Sequence, residues 1–189
     1  MIKGDLEYTL ASLPHLSFTE SSEACSKVSS IFKKYAGPSE AEKPLVTILE
    51  DEVSKFLSPK AQELFQKVNL NTIHTPRFQK SDNRFVASFS TYMYGLKQEV
   101  TKLRIARKNK DKEISNKDGQ YTLVHGNPLE EEIQLLKLQW QKLEALTIEH
   151  NTDFTGLISY KLKLMLLLRW WSFDAQEGFK RFATSTINR

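Results

Sequence analysis

Hydrophobic residues recur at helical spacing in two long segments of the chain. In the second of these segments, Asn127 and Pro128 suit a helix cap and the first helical position, and the glutamates at 130–132 suit the positive end of the helix dipole. Steps of three and four residues then lay out one apolar face, at Leu129, Ile133, Leu136, Trp140, Leu143 and Thr147. This spacing predicts a helix over 128–150.

The first long segment has the same periodicity. It begins at a cap formed by Ser81 or Asp82, and its apolar positions again follow steps of three and four, at Phe85, Phe89, Tyr92, Leu96, Val100 and Leu103. The pattern predicts a helix over 81–114. Because a short link joins it to the helix over 128–150, we expect the two to form a long antiparallel pair, with at most one short strand, at 120–124.

Shorter helical patterns flank this pair. Capping signals predict three helices before residue 70, one of them starting near Ser17, while residues 6–13 fit either a helix or an extended segment. After a cap at Asp153, residues 157–171 are apolar on nearly every side, which is typical of a helix in the middle of a core. We therefore predict an all-α helical bundle with one domain over 1–189, in which 97–126 forms a protruding arm or tip.

Composition narrows the class of protein. The chain of 189 residues is 40% hydrophobic and 26% charged, which is typical of a globular protein and not of a disordered one. Its single cysteine excludes an internal disulfide and fits a reducing cytosol. The most apolar run, 157–171, contains three basic residues and is shorter than the roughly 20 apolar residues of a membrane span. No membrane span or signal peptide is predicted.

No sequence pattern indicates catalysis. The four histidines lie in separate segments and form no zinc-binding motif. The sequence also contains no glycine-rich phosphate loop and no nucleophile elbow. His150 and Asp153 could form an acid–base pair, but helix caps are expected where they lie. A polar pocket joining His74, His125 or His150 to carboxylates would instead indicate an unrecognised enzyme. We predict a protein that is not an enzyme and has no catalytic, metal-binding or cofactor-binding residues.

The segment 97–117 carries eight basic and three acidic residues. It fits an arm that binds nucleic acid or an anionic surface, a contact with a protein partner, or a solvated helix end beside the glutamates of the next helix. The absence of interleaved aromatic residues disfavours nucleic acid. The candidates for contact with a partner in this segment are Lys102, Arg104, Arg107, Lys108, Lys110 and Lys112.

Two adjacent tryptophans add a second candidate for contact with a partner. Trp170 and Trp171 cannot both point in the same direction from one helix, so one of them is expected to be partly exposed. A partly exposed tryptophan has the large apolar area that often anchors a protein interface. Core packing is the expected role of Trp140.

Two stretches of the sequence resemble one known family. Residues 8–16, Tyr-Thr-Leu-Ala-Ser-Leu-Pro-His-Leu, resemble its N-terminal Tyr-x-Leu-x-Ala-Ser-Leu-Pro signature. Its C-terminal block resembles the residues 127–130 together with Asp153, Tyr160, Lys161, Leu162, Lys163, Leu164, Arg169, Trp170, Ser172, Phe173 and Asp174. The family is a bacterial one that accompanies the subunits of V/A-type rotary ATPases and is distantly similar to their C subunit, called d in eukaryotes.

The resemblance implies an all-helical, non-catalytic structural, coupling or assembly component of a proton- or sodium-translocating V/A-type ATPase. Its partners would be other subunits of that ATPase, and it would be cytoplasmic and peripheral to the inner membrane through the complex. The C subunit is longer and built from repeated helical units, which this sequence lacks, so an accessory role is open beside the coupling role. The alternative function is a helical adaptor whose basic arm, 97–117, binds nucleic acid or an anionic surface.

Overall fold

The computed structural model describes residues 6–36, 42–109, 126–148, 150 and 153–173. Within these ranges the chain forms eight helices and no strand, which confirms the prediction of an all-α bundle. The predicted strand at 120–124 lies outside the described residues. The helices are α1 (Leu6–Ser12), α2 (Ser22–Tyr35), α3 (Leu45–Ser54), α4 (Pro59–Lys67), α5 (Pro76–Gln79), α6 (Arg84–Asn109), α7 (Pro128–Leu146) and α8 (Phe154–Trp171).

The long helices α6 and α7 form the predicted antiparallel pair. The Tyr92 hydroxyl of α6 donates a hydrogen bond of 3.1 Å to the carbonyl oxygen of Leu138. Further along α6, Arg107 pairs with Glu131, which lies nearer the start of α7. Because the order of these contacts is reversed along the two helices, they run in opposite directions. With 26 residues, α6 is about 39 Å long.

The observed helix ends follow local capping chemistry. The Asn127 side chain accepts a hydrogen bond from the backbone of Glu130 at 2.9 Å, and the Glu130 carboxylate accepts one from the backbone of Asn127 at 3.0 Å, which completes a capping box at α7. Asp153 caps α8 as predicted. At α6 the cap is Asn83, one residue beyond Asp82 and two beyond Ser81, the two predicted caps; its side chain accepts from the backbone of Val86.

One predicted bound of the long pair differs from the structure, and another cannot be compared with it. The described part of α6 ends at Asn109, and the predicted residues 110–114 lie outside the described residues. The helix α7 ends at Leu146 rather than at 150. It stops there because Thr147 leaves the helical conformation and its hydroxyl bonds the carbonyl oxygen of Leu143 at 2.7 Å.

The helix α8 lies in the middle of the core, as its apolar sequence predicts. It packs against α7 and α3, and each of its fully buried aliphatic side chains contributes about 1.5–3 kcal/mol to stability. Leu129 is 49% exposed, because the first turn of α7 precedes the point where Glu132 meets Arg169 near the end of α8. The buried residues of α8 are Leu157, Ile158, Ser159, Lys161, Leu162, Leu164, Leu166, Leu167 and Trp170.

Residues 13–19 run alongside α8 without helical structure. Tyr160 donates a hydrogen bond of 2.7 Å to the carbonyl oxygen of Pro14, and the Phe18 ring lies 4.3 Å from the ring of Trp170, measured between centroids. These contacts explain why α2 begins later than the predicted cap near Ser17. The cap is Ser21, whose hydroxyl accepts from the backbone of Ala24.

Candidate partner-binding surfaces

The basic end of α6 is exposed, and its charges are partly compensated within the chain. Lys102 pairs with Glu99 at 3.0 Å, and the guanidinium of Arg107 lies 2.8 Å from both carboxylate oxygens of Glu131. This second pair joins the basic segment to the glutamates that start α7. The exposed Arg104 and Lys108 form no ion pair with any described residue. The predicted contact residues Lys110 and Lys112 lie outside the described residues.

The two tryptophans of α8 point to different environments. Trp170 is 8% exposed and packs against Phe18, so its ring belongs to the core. Trp171 is partly exposed, and its indole nitrogen donates a hydrogen bond of 3.1 Å to the carbonyl oxygen of Thr19. Trp171 is therefore the one of the pair that still offers apolar surface, and its contact with a partner stays a prediction.

A groove between α6, α7 and α8 is a surface that the sequence analysis did not anticipate. It consists of two adjoining cavities, of about 400 and 460 Å³, which share Val100, Arg104, Glu132 and Leu135 as lining residues. We call it the α6–α7–α8 groove. Its aliphatic lining is formed by Leu70, Met93, Leu96, Val100, Leu103, Leu135 and Leu166.

The rim of the α6–α7–α8 groove has an excess of positive charge. Four cationic side chains and two carboxylates line it. The carboxylates are both occupied, Glu131 by Arg107 at 2.8 Å and Glu132 by Arg169 at 2.7 Å. The two remaining cations are Arg104 and Lys97.

Lys97 forms no ion pair with any described residue. Its ammonium lies 3.1 Å from Nε2 of His74. Burial of the imidazole, together with the positive charge of Lys97, lowers the pKa of His74. The neutral imidazole accepts a hydrogen bond from the ammonium but brings no negative charge to the groove.

The sequence analysis noted three basic residues in the apolar segment of α8 without assigning them a role. In the structure each one meets a carboxylate of another helix: Lys163 lies 3.7 Å from Glu144, and Arg169 lies 2.7 Å from Glu132. Lys161 lies 2.6 Å from Glu50 of α3. The signal for these ion pairs in the sequence was the presence of charged residues in an apolar helix, because a charge that is buried in a core requires a partner of opposite charge.

Lys161 is the most deeply buried charged side chain among the described residues. Its ammonium donates a hydrogen bond of 2.5 Å to the carbonyl oxygen of Phe65 and lies 4.8 Å from the centre of that ring. Burial lowers the pKa of Lys161, and the hydrogen bond and charge of Glu50 oppose that shift. The Lys161 side chain is only 1% exposed, and these contacts fasten α8 to α3 and α4.

The histidines that could indicate an enzyme are not drawn into one described site. His150 lies 2.7 Å from Asp153, and both side chains are about half exposed at the start of α8. His74 is instead beside Lys97, and His125 lies outside the described residues. The described part of the chain contains no group of three or more histidine, cysteine and acidic residues able to hold a metal ion. Over the same residues, no helix is long and apolar enough to cross a membrane.

The chain was compared with known proteins in three ways. Models of protein families, curated proteins and solved structures contain no match to it. Any function is therefore inferred from its residues and their geometry.

Proposed function

We propose that this chain is a non-catalytic structural component that binds other subunits of a V/A-type rotary ATPase. The resemblance in sequence gives the identity of the partners. The observation that carries the proposal is that the two resembling stretches, which lie near opposite ends of the described chain, pack against each other.

The contact between these stretches is direct. Tyr160 belongs to the C-terminal stretch and Pro14 to the N-terminal one, and the hydroxyl of the first donates to the carbonyl oxygen of the second at 2.7 Å. Leu16, two residues after Pro14, is 8% exposed in the same core. The two residues of this contact are 146 positions apart, and both lie in stretches that resemble the same family. Their contact favours one shared structure rather than two unrelated similarities.

The packing of α8 suits a component that holds or transmits force between partners. Ion pairs from Lys161, Lys163 and Arg169 connect α8 to α3 and to two positions of α7. Of these three cations only Lys161 is enclosed, at 1% exposure, and its pair with Glu50 requires a defined geometry because a buried charge is costly to leave without its partner. A helical frame fixed in this way presents its exposed surfaces in constant relative positions.

The test is affinity purification of the tagged full chain from gently solubilised native membranes, followed by mass spectrometry. We expect the catalytic and stalk subunits of a rotary ATPase to be recovered and to remain after washing at high salt. A tag-only preparation is the control. Absence of these subunits, under conditions in which the ATPase itself stays assembled, would overturn the proposal.

The same preparation distinguishes the basic-arm adaptor from a protein-binding component. If the arm binds nucleic acid or an anionic surface, retention on polyanions should be sensitive to salt and abolished by the pair of changes Lys108→Glu and Lys110→Glu. Recovery of ATPase subunits that survives nuclease treatment and both substitutions would favour the protein-binding role. Compensation of Arg107 by Glu131 already reduces the charge available to a polyanion.

A further inference from the structure

The α6–α7–α8 groove has the length of a protein helix. Along α6 its lining extends from Met93 to Arg107. At about 1.5 Å per residue this distance is about 20 Å, which equals the length of a helix of about 14 residues. Helices of that size are common in globular proteins.

The groove floor suits aliphatic side chains better than bases or extended peptides. Val100, Leu103 and Leu135 are only half-buried, so a partner can still remove apolar surface from water there. None of the described residues that line the groove is aromatic, and both base stacking and recognition of proline-rich peptides depend on aromatic surfaces. Strand addition requires a sheet edge, and the described residues form no strand.

The excess of positive charge on the rim favours a partner with negative charge. Because Glu131 and Glu132 are occupied by Arg107 and Arg169, neither one neutralises Arg104 or Lys97. A helix that lies along the groove would pass these two cations on one side. Carboxylates of such a helix would meet them at the edge of an apolar contact, where charge complementarity sets orientation and register.

We propose that the α6–α7–α8 groove binds an amphipathic acidic helix of a partner protein. Its aliphatic side chains lie on Val100, Leu103 and Leu135, and its carboxylates face Arg104 and Lys97. This inference rests on the proposed function and names the contact surface, which runs along the side of α6 and includes Arg104 of its basic end.

Site-specific photo-crosslinking in native membranes tests where the partner lies. A photoreactive amino acid is placed at Thr101, which lines the groove, or at Thr91, which is exposed on the same helix outside it. The two threonines are matched, because each donates its hydroxyl to the backbone carbonyl four residues earlier. We expect Thr101 alone to capture a peptide, and mass spectrometry should map it to a helix with an aliphatic stripe and flanking carboxylates.

Charge reversal provides the quantitative measurement. The captured helix, made as a synthetic peptide, should bind the Arg104→Glu chain about tenfold more weakly than the unchanged chain. Arg84→Glu makes the same change of charge at an exposed position of α6 outside the groove and should leave affinity unchanged. Replacing the facing carboxylate of the peptide by lysine should restore binding to Arg104→Glu.

The outcomes separate this inference from the proposed function. If the ATPase co-purifies but Thr101 captures nothing, captures nucleic acid, or captures a second copy of this chain, the groove inference is overturned and the proposed function stands. If Thr101 captures an acidic helix of a different protein and no ATPase subunit is recovered, the proposed function fails and the groove inference stands. Equal effects of Arg104→Glu and Arg84→Glu would also overturn the groove inference.

Discussion

The ammonium of Lys161 and the carboxylate of Glu50 lie 2.6 Å apart, with the lysine side chain 1% exposed and the glutamate 24% exposed. One end of this pair is therefore enclosed and the other end reaches solvent. Loss of either partner should consequently have a different effect on stability. The enclosed lysine would lose its only carboxylate among the described residues, whereas the glutamate could be hydrated.

Removal of the carboxylate should be the more damaging change. We expect Glu50→Ala to lower the free energy of unfolding by about 3 kcal/mol, because it leaves a buried ammonium without its counter-charge. Lys161→Met removes the buried charge and nearly preserves the volume, so it should cost less, about 1–2 kcal/mol, mainly because it leaves the carbonyl oxygen of Phe65 without its donor. Urea denaturation of both variants measures the difference, with Lys60→Met on the exposed surface of α4 as the control. A larger loss for Lys161→Met than for Glu50→Ala would contradict this account.

Tyr160 should make stability depend on alkaline pH. Burial raises the pKa of Tyr160 above its ordinary value of 10.0, and the nearby Tyr35 adds to that shift. Above pH 10.0 the Tyr160 hydroxyl loses its proton in the unfolded chain but keeps it in the folded chain. The free energy of unfolding therefore decreases by up to about 1.4 kcal/mol for each unit by which the pH rises. Below that pH both states hold the proton, and the contribution is constant.

Comparison with Tyr160→Phe isolates this effect. The variant loses the hydrogen bond to Pro14 and should be about 1 kcal/mol less stable at neutral pH. It should also show a shallower decline of stability above pH 10.0, measured by urea denaturation at a series of pH values. Tyr94→Phe, at an exposed position, is the matched control. Parallel declines for the unchanged chain and Tyr160→Phe would show that this hydroxyl is not the source.

The capping box at α7 should make a measurable local contribution. Asn127→Ala removes the acceptor for the backbone of Glu130, and we expect a loss of about 1 kcal/mol. Asn127→Gly should cost only a few tenths of that amount, because glycine is itself acceptable at a helix cap. Thermal unfolding of the two variants tests the order. Equal losses of stability in the two variants would indicate that the side-chain hydrogen bond of Asn127 does not contribute to stability.

The pair between Arg107 and Glu131 should be weak and sensitive to salt. Both side chains are partly exposed, so a double-mutant cycle with Arg107→Ala and Glu131→Ala should give a coupling of about 0.2–1 kcal/mol at low ionic strength. Screening should remove most of it at about 1 M salt, where the Debye length falls to about 3 Å. The pair of Lys102 and Glu99, within one turn of α6, offers a local comparison. A coupling that does not change with salt would contradict an exposed ion pair.

The helices could be predicted from the sequence because their signals are local. Asn127 and its hydrogen-bond partner lie three residues apart, and so do Asp153 and Gly156. The apolar spacing of the two long segments likewise depends only on the geometry of one helix. The all-α class and the antiparallel pair follow from such signals.

Contacts between distant segments could not be predicted in this way. A capping pattern near Ser17 competes in the structure with the packing of Phe18 on Trp170, and the tertiary contact prevails. The partner of Lys161 also depends on how α3 meets α8, which no spacing along the chain encodes. For the same reason the α6–α7–α8 groove escaped prediction: three helices line it, and its apolar residues match the pattern of ordinary core positions.

The packing of residues 13–19 along α8 sets an order of folding during synthesis of the chain. Thr19 meets Trp171 across 152 positions of sequence. At the speed of a ribosome, about 5–20 residues per second, those residues take about 8–30 s to synthesise. During that interval the segment around Phe18 has been made but its docking site has not. Completion of this part of the core therefore awaits the synthesis of α8.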